Sequence, residues 1–249
     1  MKLKNLLSLI LFVSAGTLLG ALSMAQAGVV IVSQQVLSMP TAMQQTGKVY
    51  IDKDRMRVET SGGIADQIMI VRQDKGVMWV INPKTRTYTE MSKGDLHKVT
   101  DSLKNLSASQ TKKSSFEIQP TTYKRIASGE KIGSWNCDKY EGSIQGQKNQ
   151  DIWTTPPSNL GLDAGDVQNM KALGGFFKDM GRSSSNTASP FDIEAQDSPD
   201  HYSGIPVKSI FYSHGQQRIQ NEVREVNKQN IDPALFELPP GAQKQAMPF

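Results

Sequence analysis

The chain has 249 residues, a formal charge of +4 and a single cysteine, which excludes an intrachain disulfide. Losing Lys2 and Lys4 with an N-terminal leader lowers the charge from +4 to +2. With the basic residues spread rather than clustered, that balance argues against a nucleic-acid partner.

Met1 to Ala27 reads as that leader. Lys2 and Lys4 form a basic start, Leu6 to Leu22 is apolar but broken by small residues, and Ala25-Gln26-Ala27 is an A-x-A cleavage site. The expectation is a periplasmic protein cleaved after Ala27, with residues 28–249 as one domain; an uncleaved signal anchor is the alternative. No cysteine follows the apolar run, so a lipid-anchored start is excluded, and no later segment is long and apolar enough to cross a bilayer.

Val29 to Leu37 predicts a strand, broken by Met39-Pro40. Lys48 to Asp52 and Arg55 to Glu59 alternate with period two around the turn residues Asp52-Lys53-Asp54. Gln67 to Arg72 and Val77 to Ile81 are nearly continuous apolar runs, and Thr85 to Met91 alternates again. Strands apolar on both faces need protein on both sides or a greasy cavity on one. Ser92 and Asp95 form a capping box before Leu96, Val99, Leu103 and Leu106, one stripe of a helix that would pack on the sheet. Phe116 to Ile126 predicts a strand, Ser128 to Lys131 a turn, and Trp135 to Ile144 with Gln150 to Thr154 a hairpin. Leu160 to Met180 predicts a second helix carrying Met170, Leu173, Phe176, Phe177 and Met180 on one face, with Gly174-Gly175 weakening it. That face is either ordinary core or a plug over a cavity. Val207 to Tyr212 and Arg218 to Asn227 are the last predicted strands, followed by a terminal turn at Ile231 to Phe236 and an end of the fold at Leu238-Pro239-Pro240-Gly241.

Little in the chain points to chemistry. His97, His201 and His214 lack the spacing of a zinc helix, and Asp197 with Asp200-His201 would be a weak metal site. There is no nucleophile elbow and no phosphate loop. Asp52, Asp54, Asp163 and Asp166 read as turn and cap residues, and Cys137 reads as a small buried hydrophobe, with a nucleophile or an intermolecular bridge as alternatives. The expectation is no enzyme, no cofactor and no metal. The methionines are scattered rather than clustered, which suits an adaptable cavity better than a copper site.

The segments GKVYIDKDRMRVE, WVINPKTRTYTEM, GSWNCDKYEG with DIWTT, and the closing GIPVKS and EVREVNKQNIDPALFELPPG resemble an exported bacterial family of unknown function. Its layout is similar to that of the Lol-type lipoprotein carriers of the periplasm. The resemblance implies an α+β fold: a strongly curved antiparallel sheet, an incomplete barrel, with helices covering the concave face around a cavity for acyl chains. The carriers' arginine latch is not matched residue by residue, so no binding residue is carried over from them. A lining of Met56, Met69, Met78, Trp79, Trp153, Phe176 and Phe177 is therefore expected from residue type alone, for a lipid or lipid-like ligand. The competing expectation is an envelope interaction module with a filled core and a protein partner.

Overall fold

The computed structural model describes residues 27–38, 42–63, 65–92, 95, 121–177 and 201–246. Among these, twelve strands form one curved, open sheet. They are β1 Gly28–Ser38, β2 Ala42–Asp52, β3 Arg55–Gly62, β4 Gln67–Arg72, β5 Val77–Asn82, β6 Thr87–Ser92, β7 Thr122–Ile132, β8 Trp135–Ile144, β9 Gln147–Thr155, β10 Ile205–Ser213, β11 Gln216–Gln229 and β12 Gln243–Lys244. Their spatial order is β12-β6-β5-β4-β3-β2-β1-β11-β10-β9-β8-β7. Every neighbouring pair is antiparallel except the two-residue contact of β12 with β6. One α-helix, α1, covers Ala164–Phe177. The predicted leader and the predicted helix after Asp95 lie outside the described residues, so one helix, not several, is seen on the sheet. The capping box itself is formed: the Asp95 carboxylate accepts from the Ser92 hydroxyl at 2.6 Å and from its backbone N–H at 3.2 Å.

Local chemistry explains the meander. Two hairpins close through two-residue loops with both residues left-handed, Gln145-Gly146 and His214-Gly215. This geometry matches the twist of the flanking strands. Register shifts interrupt β1–β11 at Val32/Ser33, β9–β10 at Pro206/Lys208 and β8–β9 at Gly142/Ser143. Such bulges bend and further twist a sheet. The turn predicted at Ser128 to Lys131 is one of them: β7 runs through it, with Gly129 left-handed inside the irregularity between Ala127 and Glu130. Turn-forming residues inside a strand read the same whether the chain reverses or merely bulges.

Alternation divides the β1–β6 region into two faces. Val29 and Ile31 point to one, here the helix face, while Val30 and Tyr50 point to the other, the strap face. The strap is the C-terminal segment. Asp232 caps a 3-10 turn, Pro233–Phe236, by accepting from the Ala234 N–H at 2.9 Å. The turn presses Phe236 onto Val30, Tyr50, Ile70, Trp79 and Ile81. Arg57 donates to the Leu235 carbonyl at 3.0 Å, and Arg72 pairs with both Asp74 and Glu237. Beyond the predicted end of the fold the chain continues. Gln243 N–H donates to the Arg86 carbonyl at 2.9 Å and Gln245 N–H to the Tyr88 carbonyl at 2.8 Å, so the tail covers part of the β6 edge. The opposite edge, β7, is blunted by its bulges and by Lys124, Arg125, Glu130 and Lys131.

This closure should weaken in acid. Lys75 and then Arg72 hold the Glu237 carboxyl below its ordinary range, and Lys244 followed by Trp79 does the same for Glu90. A carboxyl with a lowered folded pKa stabilises the fold above its unfolded value and loses that contribution as pH falls through the folded value. Amide hydrogen exchange in Gln243–Lys244 and the β6 edge should therefore speed up below about pH 4.5 while the interior of β1 stays protected. Unchanged exchange across the tail between pH 7 and pH 3.5 would show that these pairs do not hold it.

Candidate functional site

Helix α1 begins where Asp163 caps it. The Asp163 carboxylate accepts from Gly165 N–H at 2.8 Å and Asp166 N–H at 3.0 Å, and Asp166 returns the bond to Asp163 N–H at 2.9 Å. Lys228 of β11 clamps both carboxylates at 2.6 and 2.8 Å. Further along, Gln73 at the β4–β5 turn donates to the Ala172 carbonyl at 2.7 Å. The helix thus crosses the strands from β11 towards β4. Its 14 residues make about 21 Å, or roughly four strand spacings.

Beneath it lies a cross-strand row, Val29–Ile51–Met56–Val71–Met78, defined by direct register partners. Met56, Val71, Met78 and the helix residues Met170 and Leu173 are all 0% exposed. The seal is tight: a crevice beside Gly28, Ile51, Asp52 and Asn169 has a volume of only about 10 Å³, room for about one water.

One step along the strands runs a second apolar row, Val226–Ile31–Val49–Val58–Met69–Val80. It spans six neighbouring strands, and all of its members except Ile31 are only half-buried. This half-open strip beside α1 is the candidate site. The next row, Ser33–Gly47–Thr60–Gln67, is small and polar.

Of the residues expected to line a cavity, Met56, Met69, Met78 and Phe176 share the helix-face cluster. Met56 and Met78 are sealed there, and Met69 is in the open row. Trp79 is on the strap face, because it is one residue out of phase with Met78 and Val80; its indole donates to Glu90 at 2.9 Å. Trp153 belongs to the contiguous apolar cluster. Its register partners, however, lead through Lys208 and Glu222 to Gln34, on the face opposite Ile31. There its ring lies between the ammonium groups of Lys139 and Lys208, 4.7 and 5.3 Å from the centroid. Trp79 therefore does not join the methionines, whereas Trp153 shares their cluster from the far side of the β9–β10 bulge. Phe177 ends α1, and its side chain is outside the described residues. The open row's valines were missed: their alternation is plain in the sequence, but which end of the alternating face the helix covers is not.

A second hollow, about 380 Å³, lies among Gly129, Asn136, Asp138, Thr154, Pro156 and Asn159. Its wall mixes the polar side chains of Asn136, Asp138, Thr154 and Asn159 with Pro156, Pro157 and two glycines. Cys137 borders it but is 2% exposed, and burial pushes its thiol pKa up. A buried, protonated thiol is a packing group. Among the described residues no three metal-binding side chains gather, and no helix is long and apolar enough to cross a membrane.

An open, curved antiparallel sheet with one helix across an apolar row defines the architectural class. The chain belongs to the family described as Domain of unknown function (DUF4412), whose model matches residues 32–242. No curated protein matches it. Among solved structures it is similar to an uncharacterized conserved protein from Thermus thermophilus, at 12% identity over 88% of this chain and 90% of that one, with a TM-score of 0.47. It is also similar to a chain of the Pseudomonas aeruginosa MucA/MucB complex, at 7% identity over 86% and 56%, TM-score 0.38. A LolA superfamily protein from Nitrosomonas europaea matches at 9% identity over 85% and 90%, TM-score 0.33.

Proposed function

We propose that this is an exported bacterial envelope protein that binds a lipid or lipid-like ligand along the half-open row beside α1, on what we take to be the concave face, and that it is a binding protein rather than an enzyme. One observation carries the reading: of two adjacent apolar rows on one face, the helix seals the first and leaves Val49, Val58 and Val80 of the second half-buried. The leader read from the sequence supports a periplasmic setting. Binding energy comes from apolar area removed from water, about 25 cal/mol per Å² before ordering costs. Because the layer beneath α1 is already filled, the ligand lies beside the helix, and α1 need not lift.

That filled layer also favours a second reading, an envelope interaction module whose partner is a protein and whose core holds no ligand. Native mass spectrometry of the mature protein, purified from the periplasm without detergent, separates the two. The lipid reading expects a stoichiometric adduct that extracts into organic solvent. A clean apo mass, together with no uptake of a fluorescent acyl probe, would leave the interaction module standing alone.

A further inference from the structure

The register shows more than apolarity. Followed from β6 to β10, the helix face of the sheet carries one formal charge among the described, registered residues, Lys228, which Asp163 and Asp166 more than offset at the end of α1; Arg218, at the β10–β11 register shift, is outside the registered set. Arg224, extruded at the β1–β11 bulge, bonds to Glu222 and Gln34 on the opposite face. That opposite face holds Lys48, Arg55, Arg57, Glu59, Arg72 and Glu90, among others. Uncharged positions concentrated on one face across eight strands are what a sheet needs to hold a ligand with no charge of its own.

The polar groups on this face are arranged as a chain. Gln45, Gln35, Asn221 and Ser209 are direct cross-strand neighbours on β2, β1, β11 and β10. Gln45 donates to Gln35 at 3.0 Å, Gln35 to Asn221 at 2.6 Å, and Asn221 to the Ser209 hydroxyl at 3.4 Å. Each carboxamide spends one N–H along the chain and has a second to offer to an acceptor oxygen. The chain lies between two apolar rows. On one side is the half-open row, four residues and about 13 Å along β1. On the other is Met43–Leu37–Ile219–Phe211. The sealed Val29 row, with α1 and its Asp166 and Lys171, is six residues and about 20 Å from Gln35.

We infer that the ligand class is a neutral lipid, apolar chains joined through ester, amide or hydroxyl oxygens, with those oxygens on the Gln45–Gln35–Asn221 amides. This rests on the lipid-binding reading and narrows it. A phosphate or carboxylate could also accept from the amides, but among the described, registered residues no free cation is on this face to offset its desolvation.

Three pyrene-labelled probes of equal chain length test this on the mature protein at pH 8: a monoacylglycerol, the free fatty acid and the lysophosphatidic acid. The monoacylglycerol should bind at least about tenfold more tightly than either anion. The fatty acid should gain on it as the pH falls towards 5 and its carboxyl takes up a proton. A Gln35→Ala/Asn221→Ala variant that retains its circular dichroism spectrum should lose most of the preference. An anion that binds as tightly as the monoacylglycerol overturns the neutral class and leaves the lipid reading intact. A preference unchanged in the variant removes the amide chain from the explanation and overturns the inference. Failure of all three probes to bind overturns both readings together.

Discussion

Phe236→Ala should lower the unfolding free energy by about 3–5 kcal/mol. Phe236 is 0% exposed and is the keystone of the strap, pressed onto the aromatic and aliphatic side chains of the strap face with the Arg55 guanidinium 5.0 Å from its ring centroid. Truncation leaves a cavity that the surrounding strands cannot close, since each is held in register on both sides. The effect reaches further than the cavity. The strap carries the carbonyls that Arg57 and Arg72 bond and leads into the tail on the β6 edge. Loosening it uncovers an apolar face and a sheet edge together, so the variant should also aggregate on warming. Urea unfolding measures the first effect and light scattering the second. Leu235→Ala, at a half-buried neighbour, serves as the comparison and should cost clearly less. If Phe236→Ala lost under about 1 kcal/mol, the strap would be an ornament on a sheet stable without it.

Val58→Glu should separate binding from folding. Val58 sits at the middle of the half-open row, between Val49 and Met69. A carboxylate there can turn towards water in the empty protein, so the stability loss should be only about 1 kcal/mol. Against a bound acyl chain it must be desolvated, and affinity should fall more than about 100-fold, or 2.7 kcal/mol. Met56→Glu, two residues back on the same face of the same strand, should behave in the opposite way. Met56 is 0% exposed under α1, and a charge there has nowhere to go, so unfolding should dominate, by more than about 4 kcal/mol. Probe titration and urea unfolding of the two variants side by side decide the matter. Undiminished lipid uptake by Val58→Glu would remove this row from the site.

Most strands were legible because they alternate or run apolar between turn residues, though the strand expected at Phe116 to Ile126 is found at Thr122–Ile132. Gln67–Arg72 and Val77–Asn82 match their expected limits almost residue for residue. The second helix was legible from its apolar period, though it starts at Ala164 rather than Leu160, since Pro157–Leu160 forms a separate 3-10 turn and Asp163 supplies the cap. Asp163 and Asp166 were read as cap residues, and the structure has them capping. Trp79 shows where the reading stopped. Its neighbours Met78 and Val80 point to the other face, so grouping Trp79 with Met78 in one lining ignored the period of two. Trp153 is a different case: it shares the methionines' cluster, but the face it occupies depends on register carried across bulges.

The amino-acid sequence alone determined the strands, the period that splits each into two faces, and the caps and turns, because these depend on neighbours within about four residues. It also showed that β4 and β5 are apolar on both sides, without saying what covers them. Only the tertiary structure decided that: α1 seals Val71 and Met78 on one side but not Met69 and Val80, and the strap closes the other. It alone aligned Val49, Val58 and Met69 into an open row, and Gln45, Gln35 and Asn221 into a chain. Rows across a sheet join residues up to about 200 positions apart, and their alignment is set by register, bulges and where a helix lands, none of which is a local property of the chain.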